Sequence, residues 1–356
     1  MKYALIVLVM GINLIQANNK RITDLNFSIP STQEISFTNF TFEKKVVKII
    51  FFVSPHCRFS VKYMKFISTL QLENGLKKYQ IILVSPNYPQ SLIPDDLSYS
   101  DIGADVSDMK IIKDRFNIDY PFIYDGENQI LTNFFGIKTT PTVVVLGLEN
   151  QILYKGKIGD IKKSGEIDTS FFKEFVYNKE KQEEFTITKV TGTEIKTKKD
   201  LNTTAKILRR YSNETVRISE GDKEKISFFM KFNNKVITLF FIWEYDNINS
   251  RDNLLKVTDI YKRYRKRGLS LITICVSDKT HKDLILQSLQ RSQTSTHNFV
   301  SNFYETQPIY KLIGYSNKTI APILVSLGKS GELQFIMHGN IMENKLRSKI
   351  LHLLDK

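Results

Sequence analysis

The two halves of this 356-residue chain repeat the same order of segments, and that repeat limits the possible fold more than any single motif does. Each half contains an apolar segment typical of a buried strand, at 46–54 and at 236–243, and an amphipathic segment follows, at about 59–70 and about 250–266. Later in each half come a second apolar strand, another helical segment, a proline flanked by strand residues, a two-stranded turn and a closing helix. This order predicts a central mixed sheet with helices on both faces.

The repeat also predicts two tandem domains, which a chain of this length can supply with two cores of ordinary size. We expect the first domain at 22–180 and the second at 184–356. Each begins with an alternating strand, a turn and another strand, at 27–37 and at 185–197. Residues 202–231 interrupt the second copy, and we interpret them as an insertion with a short helix and a strand or two.

The clearest chemical signal in the repeat is the sequence FFVSPHCRFS at 51–60. An apolar strand ends at a proline and Cys57, and a basic amphipathic helix follows at once. A thiol at a helix N-terminus with cations nearby is favoured as the thiolate, which is the form that attacks disulfides. The segment lacks the second cysteine of a C-x-x-C motif, because Ser60 stands at that position.

The order of segments, in two copies, resembles the thioredoxin fold and specifically its redoxin branch, the peroxiredoxin-like and TlpA-like proteins. In the first copy the resemblance rests on SPHC, YPFIYDGENQ, FFGIKTTPTVVVL and YKGKIGD, and in the second on FTITKVTGTEI, IYKLIGYSNKTIAPILVSL and the SGEL turn. It covers nearly all of the chain after the first residues. It implies an α/β fold of two tandem thioredoxin-like domains, each a central mixed sheet flanked by helices, with an N-terminal β-hairpin.

The resemblance also implies where a site would lie. It implies a cis Thr140–Pro141 bond that faces the active-site turn and exposes backbone groups able to pair with a substrate peptide. Cys57 is then the candidate nucleophile. The candidate substrate-binding residues are Arg58, Ser60, Thr140 and Pro141.

Ser60 stands where the family keeps its resolving cysteine, so a mixed disulfide on Cys57 would need an external thiol for its release. The predicted function is monothiol oxidoreduction or isomerisation of protein or small-molecule disulfides, with no cofactor and no metal. One alternative is a non-catalytic binding or chaperone-like module, in which Cys57 is a vestige. Another is a one-cysteine peroxidase acting through a sulfenic acid. Its P-x-x-x-T-x-x-C signature is half present, with Ser54 at the threonine position and Ile50 at the proline.

The second copy is predicted to lack thiol chemistry. Aligning residues 51–53 with 240–242 puts Asp246 at the cysteine position and Asn249 at the resolving position. A carboxylate cannot replace a thiolate in disulfide exchange. Cys275, the other cysteine of the chain, lies within an apolar strand, where we expect a buried and inert thiol.

The first residues predict an export signal. Lys2 precedes an apolar stretch from Tyr3 to Ile15, and Ala17 offers a small residue for cleavage, so we expect a secretory signal at 1–17. The mature protein is then extracytoplasmic, in a periplasm, a secretory-pathway lumen or the medium. No later segment has the roughly 18 consecutive apolar residues of a membrane helix, so no stable transmembrane anchor is expected.

The net charge does not identify a partner. Lys and Arg number 51 against 37 Asp and Glu, which gives a formal net charge of +14. Such a balance favours acidic partners in general, but by itself it indicates solubility and non-specific binding. The densest basic run, 262–267, precedes Gly268, and cations at a helix end are explained by the helix dipole. No specific nucleic-acid partner is predicted, and the oligomeric state stays open.

Overall fold

The structure is a computed structural model of the chain, and it describes residues 29–31, 34–38, 46–70, 79–162, 166–177, 185–231, 235–302, 304–312 and 322–355. The chain divides into two compact units. Unit 1 comprises the described residues up to Leu92 and from Ile102 to Leu201. Unit 2 comprises Ile93–Asp101 and the described residues from Asn202 onward. The predicted export signal at 1–17 lies outside the described residues.

Unit 1 is built from twelve described strands. They are β1 (Ile29–Ser31), β2 (Glu34–Thr38), β3 (Val47–Phe52), β4 (Tyr79–Ser85), β5 (Phe122–Tyr124), β6 (Thr139–Thr140), β7 (Thr142–Leu146), β8 (Ile152–Gly156), β9 (Asp160–Ile161), β10 (Ile167–Asp168), β11 (Thr186–Ile187) and β12 (Thr193–Glu194). Eight of these form one sheet in the order β11-β8-β7-β3-β4-β5-β1-β2. The sheet is mixed, because β3 and β4 are parallel whereas β3 and β7 are antiparallel.

Helices cover both faces of this sheet. They are α1 (Arg58–Thr69), α2 (Val106–Phe116), α3 (Ile130–Phe134) and α4 (Ser170–Tyr177). Side chains alternate between the two faces along a strand. Phe51 of β3 belongs to a core cluster with residues of α1, α2 and α4, while its neighbour Phe52 belongs to a second cluster with Leu131 and Phe135, at α3.

Unit 2 contains a six-stranded sheet. Its strands are β13 (Ser219–Glu220), β14 (Ile237–Trp243), β15 (Leu269–Val276), β16 (His297–Ser301), β17 (Ile323–Gly328) and β18 (Leu333–His338), in the order β13-β16-β15-β14-β17-β18. The remaining helices are α5 (Leu201–Ser212), α6 (Lys223–Lys231), α7 (Ile248–Tyr264), α8 (Lys282–Arg291), α9 (Gln307–Leu312) and α10 (Glu343–Leu354). Within the described ranges, no helix combines the length and the apolar character needed to cross a bilayer.

The predicted fold class is confirmed. Five strands occur in the same order in both units, β5-β4-β3-β7-β8 in unit 1 and β16-β15-β14-β17-β18 in unit 2. In each, the strand before the first long helix pairs in parallel with the next and antiparallel with the strand after the proline. The chain therefore folds as two tandem thioredoxin-like sheets flanked by helices, and the hairpin of β1 and β2 pairs with β5 at one edge of unit 1.

The predicted opening hairpin of the second domain is wrong. Residues 185–197 supply β11 and β12, and both pair with unit 1. β11 lies parallel to β8, and β12 lies antiparallel to β6. The alternating pattern in this segment predicts extended backbone correctly, but it does not identify the partner strand. Unit 2 resumes at Asn202 rather than at residue 184.

The segment predicted as an insertion, 202–231, belongs to unit 2. It contains most of α5, all of α6 and the short β13. β13 pairs in parallel with β16, which extends the unit 2 sheet by one strand at its edge. The second helix of this segment was not expected from the sequence.

The basic end of α7 makes hydrogen bonds inside unit 2. Arg263 donates from Nε to the Leu97 carbonyl oxygen at 2.9 Å and from Nη2 to the Ser100 carbonyl oxygen at 2.7 Å. Arg267 donates to the Ser98 carbonyl oxygen at 2.9 Å. These cations therefore stabilise the fold of unit 2.

Candidate functional site

Cys57 is the N-cap residue of α1. Its backbone is extended, with φ −81° and ψ 119°, and its Sγ accepts a hydrogen bond from the Ser60 amide at 3.4 Å. The first amides of a helix have no partner within the helix, so a cap side chain satisfies one of them. The Cys57 sulfur thus takes the place that a capping side-chain oxygen has at other helix ends.

The second side of the site is the segment at Pro141. The Thr140–Pro141 peptide bond is cis. The Cys57 thiol donates to the Thr140 carbonyl oxygen at 3.4 Å, although the two residues are 83 positions apart. They meet because β3 and β7 are neighbouring strands, with Phe52 opposite Thr142. Sheet pairing thus brings three predicted site residues, Cys57, Thr140 and Pro141, to one place.

The other two predicted site residues differ in accessibility. Arg58 is exposed, and its guanidinium lies 5.1 Å from the centroid of the Phe59 ring. Ser60 is fully buried, and its hydroxyl accepts a hydrogen bond from the Ser54 amide at 3.1 Å. In this structure Ser60 therefore fixes the turn, whereas the Arg58 side chain lies at the surface.

A buried polar network lies beside the turn. The Ser54 hydroxyl oxygen is 3.0 Å from His56 Nε2, and Asn87 Nδ2 donates to that hydroxyl at 2.8 Å. Asn87 Oδ1 in turn accepts from the Lys196 amide at 2.8 Å. Asn87 was not predicted as a site residue, because a single asparagine after a strand is common in turns. Ser54, at the threonine position of the peroxidase signature, therefore has its hydroxyl in contact with His56 and Asn87.

Residues 191–197, which we call the strap, lie across the site. β12 of the strap pairs with β6, so that Thr193 stands opposite Thr140. The Ile195 amide donates to the Lys138 carbonyl oxygen at 2.9 Å. Thr193 Oγ1 lies 3.1 Å from Cys57 Sγ, and only 1% of Cys57 is exposed. The strap therefore forms a direct cover over the sulfur.

The strap is held at its C-terminal end as well. Ile195 is 5% exposed and belongs to the core cluster that contains Phe52 and Phe135. The Lys196 carbonyl oxygen accepts from the Tyr88 amide and from Gln129 Nε2, both at 2.9 Å. Burying one aliphatic side chain of this size stabilises a structure by about 1.5–3 kcal/mol. The strap is thus an integral part of unit 1.

A cavity of about 260 Å³ opens next to Pro141. Its lining includes Phe59, Tyr63, Pro141, Lys157, Lys189 and Thr191. The Tyr63 hydroxyl donates to the Gly159 carbonyl oxygen at 2.8 Å. Burial, together with the charge of Asp160, raises the pKa of Tyr63 to about 12, so the Tyr63 hydroxyl stays protonated at neutral pH. Part of the cavity is made by the strap and the residues before it.

The turn of unit 2 that corresponds to Cys57 is capped by Asn247, not by the predicted Asp246. Register shows the correspondence, because Phe52 pairs with the residue after Pro141 and Ile242 pairs with the residue after Pro322. Cys57 lies five residues after Phe52, and Asn247 lies five residues after Ile242. The sequence alignment was one residue out.

Asn247 has the geometry of a cap but no sulfur. Its Oδ1 accepts from the Ser250 amide at 3.0 Å, and Ser250 is fully buried, as Ser60 is in unit 1. Cys275 lies in β15 opposite Trp243, and burial raises the pKa of its thiol. Cys275 is therefore the buried, inert thiol that the sequence predicted. Among the residues that the structure describes, no three His, Cys, Asp or Glu side chains gather as a metal site would require.

No protein-family model and no curated protein matches the chain. Solved structures do match. A hypothetical protein from Sinorhizobium meliloti has 16% identity and a TM-score of 0.40, over 49% of this chain and 91% of its own. An uncharacterized conserved protein from Geobacillus kaustophilus has 16% identity and a TM-score of 0.41, over 50% of this chain and 91% of its own.

A third match is a secreted Mycobacterium tuberculosis disulfide oxidoreductase, with 12% identity and a TM-score of 0.26, over 35% of this chain and 79% of its own. These likenesses are distant, and the fold follows from strand order and register within the chain itself. By those criteria the chain carries the thioredoxin fold twice.

Proposed function

We propose that this protein is a monothiol thiol–disulfide oxidoreductase or isomerase that acts through Cys57. The observation that supports it best is the position of Cys57 Sγ, which caps α1 and lies 3.4 Å from the Thr140 carbonyl oxygen beside Pro141. The thiol then lies beside a strand edge that can pair with a peptide. Arg58 and Pro141 are proposed to contact the client, and Thr140 to pair with its backbone.

The proposed reaction has two exchange steps. The Cys57 thiolate attacks one sulfur of a client disulfide, so that a mixed disulfide forms and the second client sulfur leaves as a thiolate. A thiolate from outside the active-site turn then attacks the mixed disulfide and releases Cys57 as a thiolate. When that thiolate belongs to the client, the outcome is isomerisation. When it belongs to a small-molecule thiol, the client keeps one free thiol and a mixed disulfide with that small molecule, and a second small-molecule thiolate removes it to complete the reduction.

Because of Ser60, the second thiolate must come from outside the active-site turn. Ser60 occupies the position of a resolving cysteine, and its buried hydroxyl holds the Ser54 amide. The first exchange product therefore persists until another thiol reaches it. The proposed action outside the cytoplasm rests on the export signal predicted at 1–17, and it stays a prediction.

A second candidate function is a non-catalytic module that binds extended peptides. It is favoured by one observation, the 1% exposure of Cys57. The pairing edge at Thr140 would serve such a module without any thiol chemistry.

The test is thiol–disulfide exchange between the full chain and a glutathionylated reporter peptide, with reduced glutathione as the external thiol. We expect turnover in the wild type and in Cys275→Ser, and none in Cys57→Ser. Mass spectrometry of an acid-quenched sample should find glutathione or peptide disulfide-bonded to Cys57. Equal turnover in Cys57→Ser and wild type would contradict the oxidoreductase proposal. Peptide binding without exchange would favour the second candidate.

A further inference from the structure

We propose that the strap, residues 191–197, is a built-in peptide ligand of this site, with Thr193 in the position that a client's cysteine takes. The inference rests on the function proposed for Cys57 and adds the class of client to it. The client is an extended peptide, with glycine before its cysteine and an aliphatic residue two positions after it.

The first support is the mode of pairing. The strap runs antiparallel to β6, and β6 has no other strand partner among the described residues. An extended peptide that adds to such an edge gains affinity from main-chain hydrogen bonds, and its side chains set the specificity. The strap makes this kind of contact with the two residues that precede Pro141.

The second support is the register of Thr193. Its Oγ1 lies 3.1 Å from Cys57 Sγ, and its backbone stands opposite Thr140. Threonine and cysteine both carry one polar atom on Cβ. A hydroxyl oxygen cannot form a disulfide, so the strap can occupy the site without being consumed by its chemistry.

The third support is the fit of the strap residues on both sides of Thr193. A Cβ atom at Gly192 would overlap the Thr140 carbonyl oxygen, so only glycine allows the close approach of the two backbones. Ile195 is inserted into the core cluster that contains Phe52 and Phe135. These two constraints define the expected client sequence, G-C-x-I or a close aliphatic variant.

The consequence is competition between strap and client. Because Cys57 is 1% exposed beneath the strap, a client reaches the sulfur only after residues 191–197 have left β6. The strap therefore lowers the reactivity of the resting protein and selects clients that can take its place.

The placement of the strap is tested in the full chain with Thr193→Cys. Under oxidised glutathione, the new thiol and Cys57 should form an intramolecular disulfide, while one glutathione disulfide is reduced to two glutathione thiols. Peptide mass spectrometry identifies the cross-linked pair. Glu194→Cys is the matched control, because its exposed side chain lies on the other side of the strand, and it should give no cross-link to Cys57. Absence of the cross-link in Thr193→Cys would overturn the inference.

Competition is tested by loosening the strap with Gly192→Val and, separately, Ile195→Asp. Alkylation of Cys57 by iodoacetamide should become about ten-fold faster or more in Ile195→Asp, the factor expected from losing the burial of one aliphatic side chain. It should also become faster in Gly192→Val, because the added side chain overlaps the Thr140 carbonyl oxygen. Lys199→Ala, an exposed change beyond the strap, should leave the rate as in the wild type. Circular dichroism of each variant checks that the sheet is kept. If a folded variant shows no acceleration, the strap is not the barrier and the inference is wrong.

The probe for the client class is a synthetic peptide of residues 191–197 in which cysteine replaces threonine, activated as a mixed disulfide with thionitrobenzoate. Capture on Cys57 should be faster for this peptide than for one with glycine and isoleucine both replaced by lysine. Equal rates would overturn the inference and leave the function proposed for Cys57 intact. Fast alkylation of the loosened variants without capture of either peptide would instead contradict the proposed function.

Discussion

The two units have the same turn after the same strand, yet only the turn of unit 1 carries a thiol. In unit 1 the cap of the following helix is Cys57, and in unit 2 it is Asn247, each accepting a hydrogen bond from the amide three residues later. The cap of unit 1 is almost fully buried under the strap, whereas Asn247 is partly exposed and its neighbour Ile248 is 67% exposed. The backbone geometry is thus shared, and the capping atom and its cover are what differ.

The largest expected effect comes from placing a thiol at the turn of unit 2, where Asn247 is partly exposed. In Asn247→Cys, the new thiol should be alkylated by iodoacetamide about a hundred-fold faster than Cys57 in the same molecule, which corresponds to roughly 2.7 kcal/mol of protection. The reason is that Cys57 lies beneath the strap, whereas the described part of the chain places no strand over Asn247. Peptide mass spectrometry follows both sites in one sample. Similar rates at the two sites would show that the turn, and not the strap, limits reactivity.

The helix after the turn offers a second way to separate the units. Arg263, near the end of α7, donates to two backbone carbonyl oxygens, whereas α1 has no basic residue in its last turn. Arg263→Ala should lower the free energy of unfolding of unit 2 by about 2 kcal/mol, because buried carbonyl groups lose a charged donor. Trp243, the only tryptophan of the chain, reports unfolding of unit 2 by fluorescence in urea.

The control for this measurement is Lys345→Ala, an exposed change on α10 that should leave the urea midpoint within error. An Arg263→Ala midpoint equal to the wild type would contradict a stabilising role for the basic end of α7.

A smaller and pH-dependent effect is expected at Glu214. Two hydrogen bonds from Arg265, each 2.8 Å, hold the pKa of Glu214 below its ordinary value. A lowered folded-state pKa contributes stability that is present above the unfolded-state pKa and is lost as the pH falls through the folded-state pKa. Glu214→Gln should therefore destabilise unit 2 by about 1 to 1.5 kcal/mol at pH 7. The difference from the wild type should shrink as the pH falls below about 4.5.

Urea unfolding of both proteins at several pH values, followed by Trp243 fluorescence, measures this difference. A difference in unfolding free energy that stays constant between pH 7 and pH 3 would contradict this prediction. It would show that the charge of Glu214 does not contribute to stability and that the side chain acts through its shape.

The smallest effect concerns the cap itself. Asn247→Ala removes the acceptor for the Ser250 amide and should cost about 1 kcal/mol, while Asn247→Ser, which keeps a capping oxygen, should cost a few tenths. The same fluorescence assay in urea compares the two. If the two variants lower the free energy of unfolding equally, the cap hydrogen bond contributes little. The two turns are then alike in backbone shape alone.

Much of the fold could be predicted from the sequence, because apolar runs and amphipathic segments recur in order. The helix expected at about 59–70 is found at Arg58–Thr69, and the strand expected at 236–243 is found at Ile237–Trp243. The sequence alignment of the two turns was wrong by one residue. Both strands contain neighbouring phenylalanines, and the sequence does not indicate which of them faces which side of the sheet. A one-residue slip in such a run exchanges the two faces of a strand.

The candidate site could be predicted only where its residues lie in the repeated segments. Cys57 and Pro141 were found that way. Thr193 was missed because a short polar strand carries no information about its partner, and here the partner, Thr140, belongs to the preceding part of the chain. Asn87 was missed for a related reason, since its contact with Lys196 joins residues 109 positions apart.

The strap is covalently part of the protein that it covers, and this sets the strength of the competition. A segment tethered to its own binding edge has an effective concentration there on the order of millimolar or above, at any dilution of the protein. A free peptide at micromolar concentration can displace it only with a much higher intrinsic affinity, or by forming a bond that the tethered segment cannot form. Thr193 cannot form a disulfide with Cys57, so under the proposed function we expect the strap to hold off reversible binders and disulfide-bearing clients to be trapped once they enter.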